Sequence, residues 1–240
     1  MKITLFAPCF VDACYPRVAI SMVEILERLG HTVVCPEEAA CCGQPAFNSG
    51  YWDEARAVAV KTLHCLNKSL ETSEAVVIAS GSCGAMIKVF YQELFEKTEH
   101  AAAARALSEK CFEFSEFLVD RLGVTDLGAK FPHKVTFHDG CHGLREMKIK
   151  QQPRELMKHV RGLELVEMPV VCCGFGGTFS AKFPQISSAM GEVKCANAIE
   201  TGADYIVSND ASCNMHIQGL LDRQGKAIRT IHLAEILNTR

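Results

Sequence analysis

With 240 residues, 48% of them hydrophobic and 22% charged, the chain has the make-up of an ordinary globular protein able to bury a substantial core. A formal net charge of −3 gives no basis for nucleic acid or an anionic membrane as the main partner, and no apolar run approaches the roughly 20 residues of a membrane span. Thirteen cysteines are the one abnormal count; with long periodic segments and an N-terminus that reads as a strand rather than an export signal, they predict metal or redox chemistry in a reducing cytoplasm, not a secreted disulfide scaffold.

Taken in chain order, apolar runs predict short buried strands over residues 3–7, 32–34 and 75–79, and again over 135–137, 164–167 and 205–207. Helical patterns occupy 17–29, 53–70, 85–95 and 111–122, then 154–160, 184–200 and 213–223. Gly30, Gly162 and Gly202 stand where helices should stop before the next strand. This alternation predicts an α/β fold with right-handed crossovers and parallel sheets flanked by helices. The stretch 123–131, with two glycines and a proline following, is the expected join between a first repeat, 1–125, and a second, 126–240.

The repeat itself is read from the cysteines. Cys9, Cys41, Cys42 and Cys83 match Cys141, Cys172, Cys173 and Cys213 at offsets of 132, 131, 131 and 130 residues. Cys-Cys-Gly recurs at 41–43 and 172–174, and Ser115-Glu116-Phe117-Leu118 is echoed by Ala234-Glu235-Ile236-Leu237. The unit is too long for a solenoid repeat, so the chain reads as a duplication with two pseudo-symmetric, Rossmann-like halves. Each cysteine group follows a predicted strand. Strands of a parallel sheet all end on one edge, where the loops form the ligand crevice, so each half should gather four thiols into a pocket. Four thiolates suit an iron–sulfur cluster or a closed zinc site. Adjacent cysteines do not easily chelate one small ion together, and the Cys-x2–4-Cys knuckles of structural zinc are incomplete here, which favours iron–sulfur while leaving zinc open in one half.

The other cysteines carry less. Cys65 and Cys195 also match, but late on helices that end at the opposite sheet edge; they are expected to pack in the core, as are Cys35 and Cys111. Cys14, whose counterpart is Glu146, is a secondary candidate for the first site. Next to Cys141, His142 could hydrogen-bond a cluster or carry a proton, a role Phe10 cannot fill in the first half. The turn Gly174-Phe175-Gly176-Gly177 is expected to aim backbone N–H groups at sulfur rather than to bind a nucleotide. Arg145, Lys148, Lys150, Arg154, Lys158 and Arg161 read as a solvated basic face, or as a docking patch for an acidic redox partner.

These motifs resemble the duplicated cysteine-rich CCG domain found in heterodisulfide reductase and in the iron–sulfur subunits of glycolate, succinate and glycerol-3-phosphate oxidoreductases. The segments 138–145 and 172–179 are most similar to the lactate-utilisation protein A family. The resemblance implies one or two iron–sulfur clusters, [4Fe–4S] in type, in a component of a system oxidising L-lactate to pyruvate. It also implies two partners, a ferredoxin-like iron–sulfur protein and a third small protein. One departure stands out: where the CCG domains of heterodisulfide reductase end in Cys-x-x-Cys around a noncubane cluster, this chain has Ser80 and Asp210 at the first position. Ser80 reads as a helix cap and Asp210 as a candidate oxygen ligand or cap. The alternatives are a thiol/disulfide reductase component like heterodisulfide reductase and a zinc-stabilised structural protein.

Overall fold

The computed structural model describes residues 1–39 and 41–240. The first half is a four-stranded parallel sheet of β1 (Lys2–Phe6), β2 (Thr32–Val34), β3 (Ala75–Ile78) and β4 (Cys111–Glu113), in the order β2-β1-β3-β4. The second repeats it with β5 (Lys134–His138), β6 (Glu164–Leu165), β7 (Tyr205–Ser208) and β8 (Arg229–His232), ordered β6-β5-β7-β8. The inner strands are apolar because helices cover both faces: every residue of Ala75–Ile78 is buried. In each sheet the chain steps from the first strand to one side, then crosses to the other. The topological switch point therefore lies between β1 and β3, and between β5 and β7, which is where such sheets form their crevice.

Two strands depart from the sequence reading. Residues 111–122 have the pattern of one helix, but Cys111–Glu113 is an edge strand and the helix begins at Phe114. Three residues are too few to show a period, and Glu113 hides the boundary by ending the strand and capping the helix at once. Its carboxylate accepts from the N–H groups of Ser115 and Glu116, while Glu116 accepts in return from the Glu113 N–H. His232 does the same for Leu233–Leu237, with Glu235 as the reciprocal partner. The echo between residues 115–118 and 234–237 is thus a repeated capping box that starts the last helix of each half. The edge strand Arg229–His232, with a single aliphatic residue, gives no signal in the sequence.

These last helices cross over. Leu233–Leu237 packs on Pro16–Arg28 of the first half, and Phe114–Arg121 packs on Gln151–Lys158 of the second. One apolar core consequently runs through both halves, from Ile3, Leu5, Met22 and Phe117 to Val135, Phe137, Leu156 and Leu237, and each half adds an outer core of its own. The chain between the halves, from Arg121 to Lys134, has no regular element beyond an isolated bridge at Lys130. Among the described residues no helix is long and apolar enough to cross a membrane.

The basic stretch after Cys141 is partly internal. Arg154 makes paired bonds to Asp139 at 2.9 Å each and to Glu167 at 2.6 and 2.8 Å, and stacks 5.2 Å over the Phe137 ring. It anchors the loop that carries Cys141. Replacing Arg154 with Met should leave the buried Asp139 carboxylate unpaired and destabilise the fold by about 3 kcal/mol, read as a lower urea midpoint.

Glu113 carries a pH dependence. Burial raises its pKa from an ordinary 4.5 to about 7, against the hydrogen bonds from Ser115 and Glu116 that lower it. A raised carboxyl pKa means the folded state binds the proton more tightly. Its contribution to stability is therefore present below about pH 4.5 and lost as the pH rises to about 7, a change of about 3 kcal/mol. Urea unfolding of Glu113→Gln, whose amide oxygen still accepts the cap bonds, should show a flatter stability profile than wild type across that window; coincident profiles would discount the effect.

Candidate metal centre

The eight matched cysteines line a single cleft at the junction of the two halves, with a cavity of about 190 Å³. The sequence predicts two four-thiol pockets; the structure opens both sets onto the same space. The reason is that the short helices starting at the two strand ends, Gly81–Ala85 and Cys141–Arg145, pack against each other where the halves meet. Phe10 and Phe175 approach across the cleft with ring centroids 6.2 Å apart. The Cys-Cys loops also touch: the Thr178 hydroxyl meets that of Ser49, and lies 3.4 Å from the Pro45 carbonyl.

Within each half the sulfurs form an unbroken chain in the same order. Cys9 meets Cys41, Cys41 meets Cys42, and Cys42 Sγ lies 3.3 Å from Cys83 Sγ. Cys141, Cys172, Cys173 and Cys213 repeat it. The first cysteine of each adjacent pair is the one whose pKa its neighbours lower most. Hydrogen bonds from Cys42 and Cys9 hold Cys41 well below the usual thiol range, and Cys141 and Cys173 do so for Cys172. A backbone N–H joins them in both halves, from Gly43 and from Gly174, each at 3.4 Å. Their donors move the other way: Cys9, Cys42, Cys141 and Cys173 are all raised, each chiefly through its bond to the neighbouring sulfur.

The glycine of Cys-Cys-Gly has a double reason. Gly43 and Gly174 sit at φ +84° and +87°, and a Cβ there would meet the Ala55 carbonyl oxygen at 2.8 Å or the Ser187 carbonyl oxygen at 2.5 Å. The loops are held from behind as well. Thr62 donates to the Cys41 carbonyl at 2.9 Å, Tyr91 to the Cys42 carbonyl at 3.0 Å, and Ser187 to the Gly174 carbonyl at 2.8 Å.

Ser80 and Asp210 explain themselves by position. These are matched residues of the two halves, and they bond to each other: the Ser80 hydroxyl donates to Asp210 Oδ1 at 2.6 Å. The same oxygen accepts from the Ser82 N–H at 2.9 Å, so Asp210 caps the short helix Gly81–Ala85 of the opposite half, while Ser80 accepts from the Cys83 N–H of its own. Ser80 lines the thiol cleft; Asp210 lies behind it, in a narrow space with Gly81, Glu113 and Gly140. Of the three secondary candidates, the cleft receives only His142, whose Nδ1 lies 3.1 Å from a Glu146 carboxylate oxygen. Cys14 is exposed at the far end of the helix that Cys9 begins.

The remaining cysteines divide. Cys111 and Cys195 are buried, and Cys195 Sγ faces the Ile217 carbonyl at 3.8 Å. Cys65 is half-buried on its helix. Cys35, expected to pack, is exposed, because it falls just beyond the end of an edge strand.

Two residues of the site escape a reading of the sequence. His138, there only one letter of a motif, ends β5 at 1% exposure beside the second thiol set; its ligand atom and those of Cys173 and Cys213 lie within 4.8 Å of one another. Cys213 is lowered to about 7, first by Cys173 and then, against burial, by His138. Lys194 is equally buried, its ammonium 3.1 Å from the Pro169 carbonyl; burial lowers its pKa, and the nearby Cys173 and Asp139 oppose that. A buried cation and imidazole among apolar neighbours are a usable sequence signal only once the strand ends are aligned, since the first half has Phe6 and exposed His64 at these places.

A duplicated α/β protein with two strand-end cysteine sets defines a class, and the comparison with known families agrees: the cysteine-rich domain designated CCG matches residues 3–88 and again 135–218. The chain belongs to the lactate utilization protein A family. It is 43% identical to lactate utilization protein A of Geobacillus sp. (strain WCH70) and 45% identical to that of Bacillus pumilus (strain SAFR-032), covering 100% of this chain and of each relative. Among solved structures, a hypothetical protein from Helicobacter pylori shares the fold at a TM-score of 0.60 and 13% identity, over 98% of this chain and 48% of that one.

The glycines supply a direct check. Gly43→Ala and Gly174→Ala should each cost about 2–3 kcal/mol, combining a positive φ with a backbone collision. Gly50→Ala, at φ +80° with open space beside it, should cost only about 1 kcal/mol. Thermal denaturation of the three variants orders them.

Proposed function

We propose that this protein is a cytoplasmic iron–sulfur electron-transfer component of a system that oxidises L-lactate to pyruvate, working with a ferredoxin-like iron–sulfur protein and a third small protein. The observation that carries the reading is the pair of four-thiol chains opening on one cleft. The donor chemistry fits an iron–sulfur cluster: sulfur ligands within contact of one another, a cysteine of lowered pKa in each adjacent pair, and glycine N–H groups directed at sulfur. Cys9, Cys41, Cys42 and Cys83 would hold one cluster, and Cys141, Cys172, Cys173 and Cys213 the other, each of [4Fe–4S] type. A bound cluster supplies one-electron chemistry. The chain's own residues orient the thiolates, exclude water on the side of the shared core, and leave Phe10, His142 and Phe175 at the cleft.

The relatives named lactate utilization protein A supply the substrate class. The cleft between the halves puts the two thiol sets in a common space, which suits electron passage between them. Ser80 and Asp210 are bonded to each other between the halves, which supports a cluster held by four thiolates over the noncubane, five-cysteine form.

Anaerobic purification followed by iron, sulfide and zinc analysis, with electron paramagnetic resonance before and after reduction, tests this. Iron and sulfide in near-equal amounts and a reducible signal are expected. Cys41→Ser and Cys172→Ser should each remove one centre's signal, and Cys65→Ser should leave both. Colourless protein with stoichiometric zinc and no sulfide after anaerobic reconstitution would sink the proposal and favour a structural role.

A further inference from the structure

The two thiol sets are matched sulfur for sulfur, but what stands behind them is not. β1 and β5 occupy equivalent places in their sheets and end in Phe6 and His138, both 1% exposed and both paired with the last residue of the neighbouring central strand, Ile78 and Ser208. In the first half this position is hydrocarbon and packs in the outer core. In the second it is an imidazole with no nitrogen or oxygen partner among the described residues, facing only the sulfur of Cys213. A poorly satisfied buried polar group costs about 1–3 kcal/mol and sulfur is a weak hydrogen-bonding partner, so its presence at a site where the other half uses phenylalanine calls for a stronger one. The nearest candidates for that partner are defined by geometry, since a nitrogen of His138 and the sulfurs of Cys173 and Cys213 lie within 4.8 Å of one another, close enough to share one metal centre.

We propose that His138 is a metal ligand of the second thiol set, making that centre a mixed imidazole–thiolate site while the first is held by thiolates alone. The proposal rests on the iron–sulfur reading above. Neutral imidazole binds iron through a ring-nitrogen lone pair, so no proton leaves His138 and no oxidation accompanies binding. His138 then takes the place of one of the four thiolates assigned to this centre above; that exchange of a thiolate for a neutral nitrogen removes a unit of negative charge, and imidazole ligation is associated with raised reduction potentials. The buried Lys194 ammonium, on the same side, acts in the same direction. The second centre is then the more readily reduced, and the cleft has a direction for electrons, from the Cys9 set toward the Cys141 set.

The test uses the full chain, purified anaerobically, with Cys41→Ser as the background so that only the second centre is seen. Pulsed electron paramagnetic resonance of the reduced protein should show a strongly coupled nitrogen whose frequency changes when histidine is labelled with ¹⁵N. His138→Phe, which copies the first half, should abolish it. His138→Cys should abolish it too while keeping the iron content and lowering the centre's potential, which separates ligand loss from misfolding. A reduced centre without histidine nitrogen coupling, or one that keeps it in both variants, overturns this inference alone. Absence of iron and sulfide from the wild-type protein overturns the electron-transfer reading with it.

Discussion

The bond between Ser80 and Asp210 is the constraint around which the molecule is arranged. It joins matched positions of two similar halves at the point where they meet, and from there Asp210 also fixes the start of the helix carrying Cys83. The residues at the closest approach are glycines. A Cβ on Gly81 would sit 3.3 Å from the Gly143 Cα, and one on Gly140 only 2.3 Å from an Asp210 oxygen. The two helices that begin at the thiol cleft therefore cross almost backbone to backbone. That closeness is what merges two crevices into one cleft.

The cysteine scaffold is legible without the fold because it depends on a rule of topology. Parallel strands end on one edge, so Cys9, Cys41-Cys42 and Cys83 converge however the helices pack. Most helices and all six inner or early strands are visible for the ordinary reason that buried apolar runs and amphipathic periods differ. The edge strands at Cys111 and Arg229 are not, since three or four residues with mixed polarity carry no period and their pairing partner lies far off in sequence. The single cleft is likewise hidden. It depends on how one half sits on the other, through last helices that pack across the boundary, and a repeat read from spacing describes each unit as if it stood alone. His138 and Lys194 escape notice because a lone histidine or lysine has no meaning until its burial is known.

Within each set the order of the sulfurs matters chemically. The first member of the adjacent pair receives hydrogen bonds from two thiols and a glycine N–H, which lower its pKa below those of the thiols that donate to it. In the second half Cys173 also donates to Cys213, which is lowered to about 7. Thiols ordered in this way would release their protons on binding a metal, so any such binding at this cleft would depend on pH. The loop that presents the first cysteine of the pair is fastened through its carbonyls by Thr62 and Tyr91 in one half and by Ser187 in the other, so little chain ordering remains to be done at binding.

The contact between Ser80 and Asp210 also says something about descent. Two identical copies of the first half, meeting about a true dyad, would place hydroxyl against hydroxyl; two copies of the second would press carboxylate on carboxylate in a buried space, where like charges repel. An acid facing an alcohol is available only when the two positions are encoded separately. Fusion into one polypeptide released the axis from symmetry, and the same freedom let one strand end in phenylalanine and its twin in histidine. Covalent linkage thus did more than tether two domains: it allowed a protein built by copying to become chemically lopsided at its centre.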